Sequence, residues 1–193
     1  MKIEKISSFI RIAAIVSAIF FFIYSLVQLA GYGISTGAIP NLIFLSSNFQ
    51  SIVIILLIIL LITSTIIYFG FITLSKEKEH KFPKASAYAL TLINLMFFLL
   101  NILFYSSQEI FNVFGLNLNI VSAILGATNI WFGFSLIYWK NKNNPFSKSL
   151  GIFYVLQGII LLSTLWIPLR LAEFTIAIRI LESFFFSVYR KYD

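Results

Sequence analysis

An arginine and a glutamate stand three residues apart inside an otherwise apolar run, Ile176-Ala177-Ile178-Arg179-Ile180-Leu181-Glu182. On a helix that spacing makes them neighbours on one face, where they can pair. A central arginine costs about 2.5 to 3.5 kcal/mol on membrane-insertion scales, and Glu182 adds to that cost, so the pair demands compensation. Three chemistries are open to it: a buried structural ion pair, recognition of an anionic or polar solute by Arg179, or action on a lipid-soluble substrate. Ala172, Thr175, Arg179, Glu182 and Ser183 fall within a sector of about 100° on a helical wheel, as expected of a face turned toward protein or water. Arg170 and Glu173 lie elsewhere on the wheel, nearer the run's outer end, where long side chains reach the interface.

Other polar groups fall at the same depth as Arg179 when positions are counted along their own apolar runs. Thr63, Ser64, Asn94, Asn129 and Gln157 all lie near the middle of theirs, and a midplane polar belt is where many transporters place their sites. Asn94, Asn101 and Gln108 recur every seven residues, an amide stripe expected to face other helices. Small residues mark close approach in lipid. Ser122, Gly126, Asn129 and Gly133 share one helical face, and Gly151 and Gly158 share another. The residues Arg179, Glu182, Asn94, Asn101, Asn129 and Gln157 are therefore the candidate polar site, read either as packing contacts between helices or as the lining of a pathway.

Conventional catalytic sites are excluded mainly by what the chain contains. The single histidine, His80, and the carboxylates Glu77 and Glu79 sit among lysines in a mixed-charge segment, which reads as solvated rather than as a metal site. There is no cysteine, so disulfides, thiolate metal sites and cysteine nucleophiles are absent. No G-x-x-x-x-G-K-[ST] loop offers a nucleotide site. No catalytic residue, metal ligand or cofactor is expected.

The elements that must position the polar residues are long apolar runs. A membrane-spanning helix needs roughly 20 mostly apolar residues, and runs of that kind occupy 9–30, 51–74, 85–105, 116–139, 149–168 and 169–189 of the 193 residues. Sixty per cent of residues are hydrophobic and 11% charged, with a mean hydropathy of +0.95, far from the balance of a soluble domain. The expected fold is all-α: one domain, a polytopic transmembrane bundle of six spans. The longest connection, 31–50, is uncharged and holds Gly31, Gly33, Gly37 and Pro40 as turn formers.

The net charge of +7 is distributed by topology. Lys2, Lys5 and Arg11, then Lys76, Lys78, Lys81 and Lys84, then Lys140, Lys142 and Lys148, then Arg190 and Lys191 all fall on one side of a six-span chain. The positive-inside rule makes that side cytoplasmic, with both termini on it. Anionic lipid headgroups are the expected partners of these clusters. Nucleic acid is not, for want of any base-stacking or folded-module context. The first run is too long for a signal-peptide core, and no small-x-small site follows it, so it is expected to be retained. No N-x-[ST] site lies on the outer face, which is compatible with a prokaryotic plasma membrane.

The inward ends of the even spans read Phe69-Gly70-Phe71-Ile72, Phe132-Gly133-Phe134-Ser135 and Phe184-Phe185-Phe186-Ser187. The odd spans open Lys5-Ile6-Ser7-Ser8-Phe9, Lys84-Ala85-Ser86-Ala87-Tyr88 and Lys148-Ser149-Leu150-Gly151-Ile152. The alternatives are a two-helix hairpin repeated three times and a coincidence in a phenylalanine-rich chain. Two functions fit. One is a non-catalytic membrane protein packing against itself or other subunits; the other is a small transporter or channel-like protein for a polar or anionic solute.

Overall fold

The computed structural model describes residues 3–35, 43–77, 81–106, 118–139, 145–163 and 168–189. They form six helices: α1 (Ile3–Ser35), α2 (Ile43–Glu77), α3 (Lys81–Ser106), α4 (Leu118–Tyr138), α5 (Phe146–Leu162) and α6 (Pro168–Tyr189). No strand occurs among the described residues. The protein is all-helical. Four helices, α1 to α4, are long and apolar enough to cross a membrane, and α5 is a shorter apolar helix of 17 residues. The sixth, α6, carries Arg170, Glu173, Arg179 and Glu182 along its length, whereas the charges of α1 (Glu4, Lys5 and Arg11) are gathered near its start.

The helix ends differ from the bounds of several of the apolar runs. At 33 and 35 residues, α1 and α2 continue into the segment read as a glycine-rich connection, and the helix runs through Gly31 and Gly33. A glycine inside a helix costs only about 1 kcal/mol relative to alanine, less than the surrounding apolar sequence contributes by packing. These two helices are roughly 50 Å long at about 1.5 Å per residue, longer than the hydrocarbon thickness. Parts of the basic segment Lys76 to Lys84 are helical too. Lys76 and Glu77 close α2, Lys81 opens α3, and Pro83 sits at the third residue of α3, where a missing N–H breaks no helical bond. The fifth helix is displaced toward the N-terminus from 149–168. It ends at Leu162, with Ser163 extended (φ −69°, ψ 124°), and Pro168 opens α6 instead of closing α5, the position at which proline is best tolerated.

Each helix packs against its neighbours in the chain, and α6 closes against α1, so the six form a ring. Short connections favour this order. Large apolar side chains such as Phe9, Ile12, Phe22, Ile55, Leu92 and Ile124 point outward, a surface suited to acyl chains and poorly suited to water. The middle of the ring is filled by side chains. Phe71 of α2 meets Phe132 of α4 at 5.1 Å between ring centroids, and meets Phe185 and Phe186 of α6 at 5.3 and 4.9 Å. A separate cluster of Val53, Leu57, Leu60 and Phe98 joins α2 to α3 toward the other end.

The aromatic ends of α2, α4 and α6 thus converge, but not with one register. In α2 and α6 the first phenylalanine of the motif, Phe69 or Phe184, is exposed and the third, Phe71 or Phe186, is buried. In α4 the order is reversed, with Phe132 buried and Phe134 exposed. The cause lies beside them. Gly133 must face α5, which turns α4 so that Phe132 is carried inward.

Candidate functional site

The polar residues of α6 occupy the face that the wheel assigns to protein. Thr175, Arg179, Glu182 and Ser183 are all buried, with Arg179 3% and Glu182 0% exposed. The Ala172 side chain lies outside the described residues. Arg179 Nη1 donates to Glu182 Oε2 at 2.8 Å, one helical turn away. Its Nη2 donates to Ser64 Oγ at 2.8 Å and to the Tyr68 hydroxyl at 3.3 Å, both on α2. The other carboxylate oxygen, Glu182 Oε1, accepts from the Tyr154 hydroxyl of α5. Tyr68 and Tyr154 thus engage the two members of the pair from α2 and α5. The guanidinium carbon lies 5.2 Å from the Tyr68 ring centroid and 5.8 Å from that of Phe21 on α1, within range of cation–π attraction.

The centre is neutral as a unit, and its two charges lie at hydrogen-bonding distance. That geometry is what a buried ion pair needs, because desolvation is repaid only when the remaining lone pairs and protons find partners. Both carboxylate oxygens are already engaged. A substrate in need of a base would have to displace Tyr154 or Arg179.

One turn from Arg179 on the same helix, Thr175 belongs to a second network. Asn129 Nδ2 of α4 donates to Gln157 Oε1 of α5 at 3.4 Å, and Gln157 Nε2 donates to Thr175 Oγ1 of α6 at 2.7 Å. These amides therefore join three consecutive helices. The remaining belt residues do not gather with them. Thr63 donates to the carbonyls of Ile59 and Leu60 in its own helix. Asn94 is buried on α3, and among the described residues no hydrogen bond ties it to either network. Asn101 is half-buried and donates to the Phe97 carbonyl of its own helix at 2.8 Å. Gln108 lies outside the described residues. Among the described residues, Asn94 and Asn101 of the seven-residue amide stripe thus make no hydrogen bond to another helix. A membrane helix gives an amide with no cross-helix partner an acceptor one turn back.

The small residues do meet as pairs. A methyl group on Gly133 would come within 2.5 Å of the Gly151 carbonyl oxygen, and one on Gly126 within 2.8 Å of the Gly158 carbonyl oxygen. The backbones of α4 and α5 therefore touch where these glycines face each other. Ser147 extends the seam by donating to the Leu136 carbonyl at 2.7 Å. Farther round the ring, Ser86 of α3 and Ser135 of α4 share a hydrogen bond of 2.6 Å.

Tyr68 and Tyr154 were not among the candidate site residues. Each lies only a few residues from the end of its apolar run, where a tyrosine reads as an interface anchor, so neither hydroxyl is marked as needing a buried partner. Among the described residues no group of three or more His, Cys, Asp and Glu side chains could hold a metal ion; His80 lies outside them. A scan against protein-family models and searches of curated proteins and of solved structures found no match to this chain.

Proposed function

We propose that this chain is a multi-pass integral membrane protein without catalysis of its own, serving as a structural or accessory component of a membrane assembly. The observation that carries this reading is the Arg179–Glu182 centre: neutral, buried, and held by side chains from α2 and α5. Such a centre fixes three helices relative to one another and offers little to a substrate. The outward apolar faces provide lipid contact and room for partner subunits or a second copy. Both termini lie in the cytoplasm of a prokaryotic cell, and the basic helix ends meet anionic headgroups. Reporter fusions after Asn48, Gln108 and Pro168 are expected to report the outer side, and fusions after Glu79, Asn143 and Asp193 the cytoplasm.

A second reading, a small transporter for a polar or anionic solute, is favoured by the Asn129–Gln157–Thr175 chain lying one turn from Arg179. Purification from native membranes separates the two. A stoichiometric co-purifying membrane chain supports the accessory role, and a solute bound to a monomer or homo-oligomer overturns it.

A further inference from the structure

We infer that Arg179 Nε and Ser17 together bind a small neutral hydrogen-bond acceptor in the seam between α1 and α6. The inference stands whether the protein is an accessory subunit or a transporter. A guanidinium presents five N–H groups. Nη1 is directed at Glu182 and Nη2 at Ser64 and Tyr68, whereas Nε has no partner among the described residues. Arg179 is 3% exposed, so bulk solvent does not reach this group, and a buried charged donor is rarely left unmatched.

The helix that covers it carries a matching group. Phe21 of α1 brings its ring to 5.8 Å from the guanidinium carbon. Ser17 lies one turn earlier on the same face of α1, is fully buried, and its hydroxyl has no partner among the described residues. Around it the buried stripe of α1 is made of the small side chains Ala13, Ala14 and Ala18.

The chemistry of the occupant follows from these groups. Nε can only donate, and a serine hydroxyl can donate as well, so one oxygen with two lone pairs satisfies both. The charge of Arg179 is already balanced by Glu182, so an anion would leave the site with an uncompensated negative charge. Phe21 and Tyr68 crowd the guanidinium and limit the guest to a few atoms. Water is the smallest such acceptor, and the carbonyl oxygen of a small organic molecule is the other source of the same chemistry.

Hydroxyl-radical footprinting of the protein in native vesicles, read together with native mass spectrometry of the purified protein, tests this. With water in the site, Phe21 and Tyr68 are oxidised in spite of their position, because radicals form beside them. The oxidation falls several-fold in Ser17→Val and is retained in Ser17→Thr, which keeps the hydroxyl. With an organic guest, the rings stay unlabelled and the intact protein carries an extra mass that Ser17→Val loses. Where Ser17→Val does not accumulate, Ser17→Ala replaces it. Unlabelled rings with no extra mass overturn the proposal, as does labelling or an adduct that is insensitive to removal of the Ser17 hydroxyl.

Discussion

The two sides of α5 meet their neighbours by opposite means. Toward α4 it presents Gly151 and Gly158, where the contact is backbone against backbone, with the hydrogen bonds of Ser147 and Gln157 beside it. Toward α6 it presents Tyr154 and Gln157, whose polar atoms reach Glu182 and Thr175. Acyl chains are as apolar as leucine, so burial alone gives little reason for two helices to associate in lipid. What remains is close packing on one side and polar matching on the other. The first contact is vulnerable to any atom added, and the second to any atom removed.

Removing one member of the ion pair tests the polar side most severely. Arg179→Leu and Glu182→Leu should each cost about 3 to 5 kcal/mol, because each leaves a buried charge without its partner. The double change should recover most of that loss in thermal unfolding of the detergent-solubilised protein. A double mutant as unstable as the worse single mutant would sink the paired account. Next comes addition on the glycine side. In an ordinary helix interior, Gly→Ala stabilises by about 1 kcal/mol, but Gly151→Ala places a methyl 2.6 Å from the Gly133 carbonyl oxygen. It should therefore destabilise by about 1 to 3 kcal/mol. A stabilised variant would show that the seam is looser than backbone contact.

Smaller effects mark the limits of the contrast. Gln157→Leu removes two cross-helix bonds that average near 0.6 kcal/mol each in membranes, so a loss of about 1 kcal/mol is expected. Asn101→Leu should stay within about 0.5 kcal/mol, since Asn101 donates only to its own helix. A large loss there would reveal a cross-helix role for the amide stripe of α3.

Six helices, the pairing of Arg179 with Glu182 and the glycine faces of α4 and α5 were legible because each follows from spacing along a single helix. Partners on other helices were harder to read. Ser64 and Tyr68 reach Arg179 from more than a hundred positions away, and no periodicity within α2 marks them as its ligands. Depth counting set Asn94 beside Arg179 and Asn129, but depth does not say which way a side chain points, and among the described residues no hydrogen bond joins Asn94 to either. The boundary between the fifth and sixth runs moved because Pro168, placed at the end of 149–168, stands at a helix start, where its fixed φ is an advantage.

Every group that receives Arg179 comes before it in the chain or lies one turn after it. Phe21, Ser64, Tyr68 and Tyr154 all precede it, and Glu182 follows within the same helix. Chains are made from the N-terminus, at about 5 to 20 residues per second. By the time α6 is made, α1, α2 and α5 have already been synthesised, and with them the hydroxyls and rings that receive its arginine. The charged segment of the bundle is thus the one made after its partners, so the order of synthesis itself shortens the time for which Arg179 is without them.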